Sequence, residues 1–172
     1  MISFPLAASS GVSLMMFLLA QSSWSGWLEK HKVRTERHPL GVSDVSFSKH
    51  TVRGDNKLGH QVADAVSAQL EAGGHFMILH PADSFLWCLH DIVQLQFRIG
   101  VVLSSVTVHH GDGSTVWHIL HNISGAATFL PESVSSPVSN FSWGLPPSLF
   151  KSLSLMVSAS LGSLAKLQLP LG

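Results

Sequence analysis

Tyrosine is absent from this chain of 172 residues, cysteine occurs once, and only 12% of the side chains are charged. The single Cys88 excludes an intramolecular disulfide and a thiolate metal cluster. Its setting in Phe85-Leu86-Trp87-Cys88-Leu89 predicts a buried, inert thiol. The charged share is about half that of an ordinary soluble domain, which puts solubility in question. Catalytic signatures are missing as well: there is no Gly-x-Ser-x-Gly elbow, Gly-x-Gly-x-x-Gly fingerprint, Walker loop or His-Glu-x-x-His pair. Gly111-Asp112-Gly113 stands between two strand patterns, whereas a phosphate-cradling loop runs into a helix. These absences predict a chain that is not an enzyme and carries no cofactor.

What is present is enough for a core. Hydrophobic residues make up 45% of the chain and the mean hydropathy is +0.31, so disorder of the whole chain is not expected. Serine (27 residues) and histidine (11 residues) are in excess. Folded domains use Tyr freely where a ring packs and its hydroxyl finds a partner, so the lack of it needs a reason. The genetic code supplies one. On the opposite strand a Val codon GTG reads as His, Lys AAG as Leu and Ala GCT as Ser, while Tyr arises only opposite GTA or ATA. A frame antisense to a coding gene would have this composition.

Formal net charge is zero but unevenly spread. Residues 29–57 hold seven Lys/Arg against four Asp/Glu, and the remainder of the chain holds three against six. Within the basic stretch Lys30, Lys32, Arg34 and Arg37 are interrupted by Glu29 and Glu36, which reads as a solvated linker and not as a nucleic-acid face. Residues 1–28 hold no charged residue before Glu29, and Val12 to Ala20 is an apolar run of the length of a signal-peptide core. No Lys or Arg precedes it and several follow, the reverse of a secretory leader, and it is short for a membrane span. Three expectations stay open for this segment: a signal, a membrane anchor, or a buried or disordered N-terminus.

The part that most resembles a folded unit is residues 58–123, a small α-β-α-β-β core of α/β or α+β class with partly disordered flanks. Asp55 or Asn56 is expected to cap a helix whose inner face carries Leu58, Val62, Ala65, Val66, Gln69 and Leu70, ended by Gly73-Gly74. His75 to His80 reads as a strand. Asp83 or Ser84 then caps a second helix reaching about Phe97. Ile99 to His109 and Thr115 to Ile123 read as a hairpin. A two-residue turn at Asp112-Gly113 would set Thr107 opposite His118 and Val106 opposite Ile119. Val106, Val108, Trp117 and Ile119 then share one face. The strand at His75, the second helix and the strand at Ile99 suggest a βαβ crossover. Residues 124–147 form a Ser/Pro-rich linker, and 148–172 an amphipathic helix opened by Pro147, with Leu149, Leu153, Met156, Leu161 and Leu164 along one stripe. Core packing or aggregation of that stripe is favoured over a membrane surface, for which two lysines are few.

Candidate chemistry is sparse. In the expected register His109 and His118 are diagonal neighbours at roughly 7–8 Å, with His110 and His121 on the opposite face. That leaves a zinc ion short of its three or four convergent ligands, so no metal site is expected. A hydrolase would need a Ser, a His and one of Asp83, Asp91 or Asp112, an arrangement only geometry can reveal. Asn140 and Asn122 fit the glycosylation pattern should the chain be secreted, with Asn140 in a loop the better acceptor. The leading reading is an orphan or dubious open reading frame with no assignable biochemical activity. The alternative is a small membrane-associated or secretory interaction protein.

Overall fold

A computed structural model describes residues 2–7, 13–19, 22–28, 31–42, 49–111, 113–135 and 146–161. The elements run β1 (Ile2–Ala7), β2 (Ser13–Leu18), a 3-10 turn (Ser22–Ser25), β3 (Trp27–Leu28), β4 (His31–Lys32), α1 (Lys49–Glu71) and β5 (His75–Pro81). A second 3-10 turn (Phe85–Cys88), α2 (His90–Gln96), β6 (Val102–His110), β7 (Gly113–His121), α3 (Ala126–Phe129), β8 (Ser133–Ser135) and α4 (Pro147–Leu161) follow. The fold is mixed α and β, as the sequence pattern indicates. Its sheet has six strands in the order β1-β2-β5-β7-β6-β8, with β3 and β4 forming a separate ribbon.

The N-terminal apolar run is a strand of that sheet. β2 lies between β1, antiparallel, and β5, parallel, with Leu14 opposite His75 and Leu18 opposite Leu79. Leu14, Met16 and Phe17 are buried, the first two on one face and Phe17 on the other. A strand covered on both faces needs no polar alternation. That is why the run looks like a leader when read by itself.

Two apolar layers hold the sheet between helices. On one face Met77, Leu79, Val106, Val108, Trp117 and Ile119 pack against Leu149, Leu153, Met156 and Val157 of α4. Leu149, Leu153 and Met156 of the expected stripe are thus core; the Leu161 side chain and Leu164 lie outside what is described. On the other face Phe76, Ile78 and Leu120 meet Val62, Ala63 and Val66 of α1 and Ile92 and Leu95 of α2. The alternation of Phe76, Ile78 against Met77, Leu79 on β5 is the two-residue period of a strand feeding both layers.

Several boundaries differ from the sequence pattern. α1 begins at Lys49, inside the expected 29–57 linker, because its first turns expose Lys49, His50, Thr51 and Arg53 and bury only Val52. One apolar anchor in two turns leaves no period to detect. The second helix is split: Ser84 caps the 3-10 turn, accepting from the Leu86 N–H at 3.1 Å, and extended Leu89 separates that turn from α2. The break points Leu86 and Leu89 inward and leaves Cys88 exposed, not buried as expected.

The hairpin keeps its predicted faces and shifts its register by two residues. Val106 pairs with Trp117, Ser105 with His118, and the ladder closes on His110 and Gly113. Because side chains alternate with period two, a two-residue slip returns every residue to the same face. The expected turn residue Asp112 lies outside the described residues. β5 and β6 are parallel but not adjacent, since β7 lies between them, antiparallel to both. The adjacent parallel crossover is β2-α1-β5 instead.

Candidate functional site

In a parallel pair both carboxyl ends lie at the same end of the sheet, and the loops that leave them converge there. The loop after β2 brings Ser25, and the loop after β5 brings Asp83 and Ser84. Antiparallel β7 begins at this end and contributes Thr115. Together with His80 and Pro81 these residues line a cleft of about 210 Å³.

The geometry of the cleft follows from local hydrogen bonds. Trp87 Nε1 donates to the Pro81 carbonyl at 2.8 Å, and the Ala82 N–H donates to the Val116 carbonyl at 2.8 Å, so the turn after β5 is fixed at both sides. Ser84 Oγ is occupied by the Leu86 N–H, and Ser25 Oγ donates to the Trp27 carbonyl at 3.3 Å. His80 is buried and faces His118 across the β5–β7 pair. The His118 ring rests on Trp87, centroids 5.6 Å apart at 58°. Burial holds the His118 imidazole below its ordinary titration range.

Next to the Ser25 segment in the chain, Arg34, whose side chain is fully buried, joins Ser23 and Pro39 to α1. Its guanidinium donates to the Pro39 carbonyl at 2.6 Å, to Asn56 Oδ1 at 2.8 Å and to Ser23 Oγ at 2.8 Å, and lies 4.1 Å from the Trp24 ring centroid. Asp55 completes the cluster, accepting from the Ser23 N–H at 2.9 Å and from the Ser23 hydroxyl. Burial pulls the Arg34 guanidinium down to about 10, with Asp55 acting in the opposite direction, so the group stays charged at neutral pH. Asp55 and Asn56, expected as helix caps, lie inside α1 and serve this cluster instead.

Of the other candidate residues, Asp91 of α2 meets His60 Nδ1 at 2.6 Å on the surface, far in role from the cleft, and Asp112 lies outside the described residues. Of the described hydrolase candidates, Asp83 is the one that lines a cleft together with a histidine and serines. The register separates His109 from His118 by four strand positions, about 13 Å at 3.3 Å per residue, in place of the expected diagonal contact. Among the described residues no three His, Cys, Asp or Glu side chains gather as a metal site. The His121 ring accepts from the Ile123 N–H through Nδ1 at 3.2 Å, so its proton sits on Nε2, which lies 3.0 Å from Ser104 Oγ. Burial lowers its titration too.

Asn122 is committed to the sheet. Its Oδ1 accepts from the Phe76 N–H at 2.9 Å and its Nδ2 donates to the Gly74 carbonyl at 3.0 Å, extending the β5–β7 pairing beyond the strand ends. A glycan on that nitrogen would replace one of its two N–H donors. Asn140 lies outside the described residues. Arg34 is also withdrawn from the basic run, and Lys32 sits 5.9 Å over the Trp27 ring. No helix among the described residues is long and apolar enough to cross a membrane. Comparison with family models, curated proteins and solved structures finds no match for this chain.

Proposed function

We propose that this chain is a small α/β binding protein that takes a compact polar molecule in the cleft at the carboxyl end of β5, without chemistry of its own. The observation that carries this reading is the convergence of the loops after β2 and β5 on one polar-lined cavity. Ligands of open α/β sheets characteristically sit in that position. Among the described residues Asp83 is the only charged one lining the cleft, so a hydroxylated ligand bearing an amine suits it and an anion does not. A nucleophilic role finds no support: the Ser84 hydroxyl serves as a cap and Ser25 serves its own turn.

The reading as an unselected frame rests on composition, above all the missing Tyr. Weighing against it is the Arg34 cluster, in which one buried side chain satisfies acceptors from three separated segments. The membrane-associated alternative rests on the N-terminal run, whose placement as an internal strand gives it no support. Thermal denaturation with millimolar ethanolamine, glycerol or inorganic phosphate tests the binding reading. Ethanolamine should raise the melting temperature and phosphate should not, and Asp83→Asn should abolish the rise. No shift with any of the three, or a shift that survives Asp83→Asn, would sink it.

A further inference from the structure

A second cavity, of about 500 Å³, is lined by Lys32 of β4, by Thr35, Glu36 and Arg37 of the turn that follows, and by Phe85 of the second 3-10 turn. Among the described residues it shares none with the cleft beside Asp83. Its volume is that of a site for a small organic molecule. Its charge is opposite to that of the cleft, since two cations here stand against one carboxylate.

The lining groups stand on anchored backbone. Lys32 pairs with Trp27 across the β3–β4 ribbon, which sets its Nζ 5.9 Å from the indole centroid. Past β4 the Gly26 carbonyl ties the chain back, accepting from the Val33 N–H at 2.8 Å and the Arg34 N–H at 3.2 Å. Thr35 and His38 then exchange backbone hydrogen bonds of 3.3 and 3.0 Å, leaving Glu36 and Arg37 as the middle of a tight turn. The Thr35 hydroxyl accepts from the His38 N–H at 3.1 Å and so serves that turn. Phe85 sits against Gly26, where φ is 86° and a Cβ would meet the ring at 2.7 Å. Anchoring of this kind reduces what a ligand must order on binding. Among the described residues neither Lys32 nor Arg37 lies within ion-pair distance of a carboxylate, Glu36 included.

We propose that this cavity takes a planar aromatic acid, with its ring on Phe85 and its carboxylate or phosphate between Lys32 and Arg37. An aromatic wall gains most from a flat ring laid against it. An ammonium and a guanidinium fork together gain most from a group that offers several acceptor oxygens. Glu36 makes both parts necessary, because its carboxylate opposes any anion that approaches the turn. An acid without a ring therefore holds poorly, and a ring without an acid leaves both cations unused. This ligand and the amine of the cleft are different molecules at different sites, so the inference does not rest on the cleft reading.

Calorimetric titration of the full chain at low salt with phenyl phosphate and with benzoate tests this. The tighter of the two should bind with a Kd below about 1 mM, and which it is names the acid as phosphate or carboxylate. Lys32→Ala and Arg37→Ala change exposed side chains, so melting of the free chain should stay where it is. Each should weaken binding at least about fivefold, while Glu36→Gln should strengthen it. Inorganic phosphate and cyclohexanecarboxylate, which lack the aromatic ring, should bind at least about fivefold more weakly than their aromatic counterparts. Asp83→Asn should leave the aromatic acid's affinity unchanged, which separates failure here from failure of the cleft reading. No binding of either aromatic acid at about 1 mM overturns the proposal. So does binding that survives Lys32→Ala combined with Arg37→Ala, or acids without an aromatic ring that bind as tightly.

Discussion

His121 shows how a single side chain can set the pH response of this fold. It is 1% exposed, it accepts a backbone N–H through Nδ1, and burial lowers its titration. Protonation at Nδ1 would cancel that hydrogen bond and place a charge in the core. The folded-state value lies below the unfolded one of about 6.5, so the stabilising effect is complete above that pH and is lost as pH falls through the folded value. Stability should therefore be level from about pH 7 to 9 and decline below about 6.5, with a slope of up to about 1.4 kcal/mol per pH unit from this residue. His118, also lowered by burial, adds to the decline in the same direction. Urea unfolding across that range checks it: His121→Gln should lower stability at pH 8 and flatten the acid limb. An unchanged limb would mean the acid sensitivity lies elsewhere. Gly59 is a second residue with a visible reason. A Cβ there would overlap the tip of the Leu89 side chain and reach ordinary contact with Trp24, so the bare backbone of α1 leaves room for the Leu89 side chain.

Among the elements, those with a complete local signal were legible. β5 is a short apolar run bounded by turn residues, and the faces of the hairpin and the inner stripe of α4 carry their apolar residues at the period of the structure they adopt. Elements whose reason lies in distant partners were not. The start of α1 is held by Asp55 and Asn56, which face Ser23 and Arg34 some 20 to 30 positions earlier in the chain. Nothing within a helical window announces that. The cleft was legible only in part, since Asp83 and Ser84 stand out as cap residues, while Ser25, His80 and Thr115 come to them through strand pairing. The hairpin faces survived a wrong register because both depend on a period of two, whereas the His109–His118 contact did not survive it. Arg34 ties Ser23 and Pro39 to Asn56 of α1. Arg34→Met removes the donors of Pro39, Asn56 and Ser23 in a buried setting and should cost about 3–5 kcal/mol in denaturant unfolding. Arg34→Lys should recover little of it, since one ammonium cannot match a planar fork with partners on three sides. Full recovery by lysine would show that charge alone, and not the fork, holds the loop.

For the molecule as a whole, the N-terminal segment decides between two exclusive fates. Residues 13–18 cannot both fill the slot between β1 and β5 and lie in a bilayer or be cleaved away as a leader. In the sheet they cover β5 along its length, bury Leu14, Met16 and Phe17 in the two apolar layers, and receive Gln69 of α1, whose amide donates to the Ser13 carbonyl at 3.0 Å and to the His75 carbonyl at 3.1 Å. Gln69 thereby clamps the amino ends of both parallel strands to the helix that connects them. Fully burying each large apolar side chain contributes about 1.5–3 kcal/mol, so losing three of them exceeds much of the net stability of a domain of this size. Truncation before Ser22 also leaves β5 with an open, largely apolar edge, a setting prone to strand-to-strand aggregation. The truncated chain is therefore expected to lose cooperative thermal unfolding and to aggregate, while the full chain unfolds in one transition. A truncated chain that stays monomeric and melts like the full one would show that β1 and β2 are dispensable, and would restore the segment as a removable leader.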